Sequence, residues 1–202
     1  MLTFNEADHA YFWNGARVPG VSEIMADMVP PSFFVTPEDL EKSRKLGNAV
    51  HKAIEYSDRK VAFQSDPLID PWLEAWRLFK KHFDYFEDII IDGNVIIEGR
   101  FFSEVYGFAG TTDRVYFNPR TQAVIIIDWK TGAVSRRWSI QGAGYEKLVR
   151  EKVTKYRKFE RWAVRLVPGK YELILPKNDF RHDFNIFNAL LISYRWKKEG
   201  SI

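Results

Sequence analysis

Hydrophobic and polar positions recur with two different periods along this chain, and the changes of period mark its elements. Apolar and aromatic residues in 10–21 flank Asn14-Gly15, a dipeptide that supplies the positive φ angles of a tight turn, which predicts a small N-terminal hairpin. Ser22 is placed to cap a short helix that ends before Pro30-Pro31, because neither proline donates a backbone hydrogen bond. Thr36, with Pro37 at the first helical position and Glu38 and Asp39 behind it, starts a helix over 36–58. Its apolar face is Leu40, Leu46, Val50, Ala53 and Ile54. A second helix over 70–86 carries Leu73, Trp76, Leu78, Phe79, Phe83 and Phe86, and the two are expected to cover one face of a sheet.

The period then shortens to two. Segments 95–102, 113–117 and 123–129 are rich in Val, Ile, Phe and Tyr and predict the central strands, with 107–112 read as a turn before Asp113. A helix over 138–151 follows. Trp162, Val164 and Leu166, a Pro168-Gly169 turn, and 171–175 predict an antiparallel pair, and a last helix spans 183–197. This order predicts a mixed α/β fold, and the length favours one domain. Within it we place the hairpin and short helix in 1–35, a core in 36–176 and a terminal helix in 181–198.

Composition narrows the chemistry. At 46% hydrophobic and 16% aromatic residues the chain reads as an ordered globule, whereas 30 basic against 27 acidic residues is too mild a bias to identify a nucleic-acid partner. Cysteine is absent, so disulfides, thiolate metal sites and thiol nucleophiles are excluded. Any metal must take oxygen or imidazole ligands, which suits Mg2+ or Mn2+. No apolar run is long enough for a membrane span, and the first residues include Asn5, Glu6, Asp8 and His9 where a signal peptide needs an apolar stretch, so the expectation is an intracellular, cytoplasmic protein.

The chemistry concentrates in 113–130. The segment Asn118-Pro119-Arg120-Thr121 has turn composition between two strand-like flanks, and with a loop at 119–122 Asn118 faces Ala123. Counting outward sets Asp113 opposite Asp128, and facing side chains of an antiparallel pair stand about 5 Å apart. Lys130 emerges on the face of Asp128, while Trp129 points into packing. An Asp-x-Lys spacing alone is commonly a solvated pair, but this one ends the strand Ile125-Ile126-Ile127, which reads as buried. Two carboxylates sharing a site favour a hard cation between them, and an ammonium beside them is suited to phosphodiester hydrolysis.

With these motifs the sequence resembles the RecB-like branch of the PD-(D/E)XK nuclease superfamily. The resemblance runs in order through Gly47-Asn48-Ala49-Val50-His51, Glu98, 107–113, Ile127-Asp128-Trp129-Lys130-Thr131-Gly132 and Gln141 through Tyr145. It covers about half the chain. That family includes bacteriophage recombination exonucleases and a mitochondrial genome-maintenance exonuclease. The resemblance implies a restriction-endonuclease-like domain with a central mixed β-sheet flanked by helices. It further implies that His51, Asp113, Asp128 and the Trp129 backbone carbonyl bind the metal, that Lys130 is the catalytic lysine, and that Glu98 is the upstream acid, with Glu104 the nearby alternative. Gln141 to Tyr145 would lie against the site and contact DNA.

Read from the residues alone, these positions are less specific. Gly47 and His51 share a helical face, and His51 is open to both metal ligation and ordinary polar packing. Gln141 and Tyr145 also share a face, with packing the alternative to phosphate or base recognition. Gly142 and Gly144 between them each cost the helix about 1 kcal/mol, which a close backbone contact would justify. Eight basic residues in 147–165 are either a DNA-attracting strip or a solvated surface, and Arg136, Arg137 and Trp138 are better placed to touch a strand by charge and stacking.

The expectation is therefore a metal-dependent exonuclease acting on single- or double-stranded DNA ends in replication, recombination or repair, alone or with a separately encoded partner protein. The alternatives are a structure- or sequence-selective endonuclease and a catalytically silent DNA-binding module. The chain contains no HExxH, Gly-x-Ser-x-Gly or Gly-x-x-x-x-Gly-Lys-Ser/Thr motif, so those protease, esterase and ATP-binding elements are not indicated.

Overall fold

The computed structural model describes residues 1–28 and 36–199. Three short strands come first: β1 (Leu2–Asn5), β2 (Ala10–Trp13) and β3 (Ala16–Val18), joined in that order into an antiparallel sheet. The Asn14-Gly15 turn forms as expected, both residues at positive φ, but β1 adds a third strand to the predicted hairpin. The short helix α1 (Val21–Ile24) is capped by Gly20 instead of Ser22, and the Glu23 carboxylate turns back to accept the Gly20 N–H at 3.4 Å. The Pro30-Pro31 stop lies outside the described residues.

Helix α2 (Pro37–Asp58) starts where Thr36 accepts the Asp39 N–H, and α3 (Asp70–His82) stops four residues before the predicted end. Phe83 and Phe86 still pack against the core beyond it. Leu40 departs from expectation: it is 65% exposed, and burial on α2 begins only from Leu46 onward. Short strands β4 (Glu87–Asp88), β5 (Ile90–Ile91) and β6 (Asn94–Val95) precede β7 (Ile97–Ser103). Strand β8 (Phe108–Asn118) contains the segment read as a turn; residues 108–112 pair with β7, and the turn falls just before them at Gly107, with φ +61.

Then come β9 (Ala123–Lys130), α4 (Arg137–Lys152), β10 (Lys158–Val167), β11 (Lys170–Ile174) and α5 (Phe180–Glu199). The main sheet runs β11-β10-β9-β8-β4, with β7 also on β8. It is mixed: β9 and β10 are parallel, while β8–β9 and β10–β11 are antiparallel. A parallel neighbour requires a crossover, and α4 supplies it.

Alternation along β9 sorts its side chains to two faces. Ile125, Ile127 and Trp129 enter a core with Val50, Ile54, Leu73 and Phe79, so α2 and α3 do cover one face. Val124 and Ile126 enter a second core with Leu148 and Phe187 from α4 and α5. Each such side chain, fully removed from water, contributes about 1.5–3 kcal/mol. A buried polar group fixes α2 against the sheet: Asp58 at its end sits 3.5 Å from Arg114 of β8 and 3.1 Å from Lys80 of α3. This holds α2 beside Asp113, the neighbour of Arg114. Among the described residues no helix is long and apolar enough to cross a membrane.

Candidate active site

The β8–β9 ladder pairs Asn118 with Ala123 and continues to Arg114 opposite Ile127, so Asp113 stands opposite Asp128 where the ladder ends. Asp113 Oδ2 accepts the Trp129 N–H at 2.6 Å, tying one carboxylate to the strand that carries the other. Trp129 thus touches Asp113 through its N–H, while its ring is buried against Phe79. On the face of Asp128, Lys130 Nζ lies 2.6 Å from Asp128 Oδ2.

Two further elements, β7 and α2, converge at Asp113. Register places Glu98 of β7 across from it, between the pairs Ile97–Arg114 and Gly99–Thr112. Glu98 has φ +50, a left-handed conformation that costs a non-glycine residue about 1–3 kcal/mol and concentrates at functional sites. From the other side α2 brings His51, whose Nδ1 is 3.5 Å from Asp113 Oδ2. Ligand atoms of His51, Glu98 and Asp113 all lie within 4.8 Å of one another. The resemblance implied Asp128 beside His51 and Asp113; Asp128 lines the same cleft, with its Oδ2 2.6 Å from Lys130 Nζ, while Glu98 is the second acid within 4.8 Å of His51 and Asp113. Glu104, the alternative acid, is exposed in the turn after β7.

The electrostatics reflect crowding. Burial and the Asp113 charge push the Glu98 carboxyl up to about 8. For His51, burial works to lower the pKa, but the Asp113 carboxylate outweighs it and the imidazole rises to about 9. Burial likewise works to raise Asp113, and His51 overcomes it, so that carboxyl is lowered. Burial raises Asp128 despite the lysine beside it. These groups are held apart from their ordinary ionisation by one another, a condition that a bound cation relieves.

Lys130 is also a donor to Gln141 Oε1 of α4 at 3.1 Å, and Gln141 Nε2 donates to Tyr145 Oη at 3.1 Å and to Ser22 Oγ at 3.4 Å. Gln141 and Tyr145 therefore do lie against the carboxylates. Tyr145 is buried, and burial followed by the Asp128 charge holds its phenol well above the usual range. The close approaches anticipated for glycine occur at two places. A Cβ on Gly47 would stand 3.2 Å from Thr131 Oγ1 just past β9, and one on Gly144 would stand 2.8 Å from the Phe187 ring. At Gly142 the nearest atom would be 3.5 Å away, an ordinary contact.

Other predicted positions are less central. Trp138 has its ring 6.0 Å from Lys130 Nζ, Arg136 is exposed at the start of α4, and Arg137 is half-buried beside them. The basic run of 147–165 is largely neutralised: Lys147 pairs with Glu151, Arg150 and Arg161 with Glu146, Lys158 with Glu160 and Arg165 with Glu172. Arg161 is buried and also meets Asp183 at 2.9 Å, so it is a structural residue and not part of a DNA-facing strip.

The sequence reading missed the wall opposite α4. The cleft at the carboxylates, about 720 Å³, is closed there by Phe4, His9 and Tyr11 of the N-terminal sheet, with Arg100 stacked 4.6 Å from the Phe4 ring. Tyr11 is linked to Thr111 of β8 by a 2.7 Å hydrogen bond. Of these, only Tyr11 lay in the predicted hairpin, and nothing local indicated that the hairpin borders the site. The fold and site define a mixed α/β protein with a histidine–carboxylate cluster beside a partly buried lysine. Compared with protein-family models the chain matches none, and compared with curated proteins it likewise has no match.

Proposed function

We propose that the chain is a divalent-metal-dependent nuclease of the PD-(D/E)XK type that hydrolyses DNA phosphodiester bonds. The observation that carries this reading is the meeting, at the end of one buried strand, of the His51–Glu98–Asp113 cluster with the Asp128–Lys130 pair. The donor set is imidazole and carboxylate, and its mutual pKa displacements are those a cation would offset, so the residues fit Mg2+ or Mn2+. His51, Glu98 and Asp113 would hold the ion, with Asp128 completing the oxygen-rich side. Bound there, it would supply Lewis-acid polarisation of a phosphodiester and acidification of water.

The chain's own groups have distinct tasks in this reading. Lys130 offers a positive charge to the developing phosphorane or holds the attacking water, and Gln141 fixes where that ammonium stands. Tyr145 and Ser22 in turn hold the Gln141 amide. Action at DNA ends, in replication, recombination or repair, rests on the family resemblance; a role as an endonuclease uses the same chemistry.

The deciding experiment is cleavage of end-labelled linear single- and double-stranded DNA in Mg2+, Mn2+ or EDTA by wild type, Lys130→Ala and Asp128→Asn. Metal-dependent shortening from an end, lost in both variants, is the expected result. Cleavage of covalently closed circles would make it an endonuclease. Folded wild type that binds DNA and cleaves nothing in any metal would sink hydrolysis and favour a silent binding module.

A further inference from the structure

A second cavity, of about 570 Å³, lies on the far side of Asp128 from the histidine cluster, between the start of α4, the strands β10 and β11, and residues 174–178. Asp128 and Tyr145 line both spaces, so the two cavities are neighbours on either side of these residues. The walls are apolar, with Ile126, Ile140, Ile174 and Ile186 and the indole of Trp138; the Trp162 ring lies on the opposite face of the sheet against Phe83 and Phe86. Trp138 stands between the spaces, 6.0 Å from Lys130 Nζ.

The cavity is firmly walled. Arg161 donates to the Ser139 carbonyl at 2.9 Å and to the Asn178 carbonyl at 3.1 Å while paired with Glu146 and Asp183, which pins α4, α5 and the 178 segment to β10. At the rim, Arg136 and Lys177 are exposed, and neither has an ion-pair partner among the described residues. Apolar walls carrying an indole, with cations at the rim and a carboxylate–lysine site alongside, match a flat heterocycle flanked by phosphates.

We propose that this cavity receives one unstacked nucleobase of the strand whose adjoining phosphate lies at the carboxylate cluster, an inference that rests on the nuclease reading. Trp138 stacks on the base, Ile174 and Ile186 enclose it, and Arg136 and Lys177 meet the backbone as it leaves. In this proposal the base enters unpaired, so the nucleotide is single-stranded or freed from its partner before entering.

The test uses the full chain in EDTA with a single-stranded oligonucleotide carrying one 5-iodouracil, irradiated and mapped by peptide mass spectrometry. The expected adducts are on Trp138. Adducts confined to the Phe4–Tyr11 wall, or none at DNA concentrations that saturate binding, would overturn the proposal. Ile186→Trp, which fills the cavity from α5, is expected to remove those adducts and weaken oligonucleotide binding about tenfold, the scale of one stacked base. A folded Ile186→Trp that binds and crosslinks like wild type would also overturn it. Cleavage by wild type without the Trp adducts would sink the cavity alone, whereas the adducts without cleavage would sink hydrolysis and leave the cavity standing.

Discussion

Asp113 is bonded to the strand opposite it: its Oδ2 accepts the Trp129 N–H at 2.6 Å while the same oxygen stands 3.5 Å from His51 Nδ1. One carboxylate thereby fixes the spacing of two strands and a helix. Asp113→Asn keeps an acceptor for Trp129 and removes the charge, so it is expected to abolish metal-dependent cleavage with a small change in melting temperature. Asp113→Ala also orphans the Trp129 N–H and should lower stability by about a further 1–3 kcal/mol, read from urea denaturation of both variants. Equal stability of the two would count against the bond.

Protons and metal should compete at this cluster. Glu98, raised to about 8, contributes stability that is fully present below its unfolded value of about 4.3 and is lost as pH rises through 8. His51, raised to about 9, contributes stability present below about 6.5 and lost as pH rises through 9. Both slopes have the same sign. The melting temperature of EDTA-treated protein is therefore expected to fall across that range, and Mn2+ to raise it more at alkaline than at neutral pH, because binding displaces a proton from each group. A metal shift independent of pH would contradict the assignment.

In the proposed nuclease Gln141 would act through Lys130 as a positioning residue. Gln141→Ala should lower kcat about 10–100-fold, the range seen when a supporting group is removed, with little change in KM, and Gln141→Asn should not restore it because the shorter side chain leaves the amide out of reach. Steady-state kinetics on a short oligonucleotide with the pH profile of kcat checks this. A change in KM alone would indicate a binding role instead.

The two glycines of α4 give opposite expectations. Gly144→Ala would place a Cβ 2.8 Å from the Phe187 ring and should destabilise by about 1–3 kcal/mol. At Gly142 the new methyl meets Arg161 at 3.5 Å, so Gly142→Ala should stabilise by about 0.5–1 kcal/mol through helix propensity. Equilibrium unfolding of both variants separates packing from propensity within one helix.

Arg161 sits between the Glu146 and Asp183 carboxylates, all three buried. Arg161→Met leaves two buried acids facing each other and is expected to cost about 3–5 kcal/mol, measured by urea denaturation at neutral pH. The loss should shrink as pH falls and Glu146, already raised chiefly by burial, takes up a proton.

Much of the architecture was legible because it depends on local rules. The 118–123 turn set the β8–β9 register, and a period of two then put Asp128 and Lys130 on one face and Trp129 on the other. Thr36-Pro37 marked the start of α2 because a cap and a missing N–H are properties of the residues themselves. What the sequence could not decide was which distant pieces meet. Leu40 satisfied the apolar pattern yet projects beyond the sheet, since periodicity says which face a residue occupies but not how far the opposing surface extends.

The candidate site divides along the same line. Asp113, Asp128 and Lys130 were readable because they share one hairpin, where separation in sequence converts directly to separation in space. Glu98 reaches Asp113 only through a positive-φ residue in β7, and His51 only because Asp58 anchors α2 to Arg114 and Lys80. The same long-range packing paired much of the basic run of 147–165 with acids and turned the N-terminal hairpin into a wall of the cleft. Caps and turns are written into neighbouring residues. The meeting of elements is decided by burial across the whole chain, and only the tertiary structure records it.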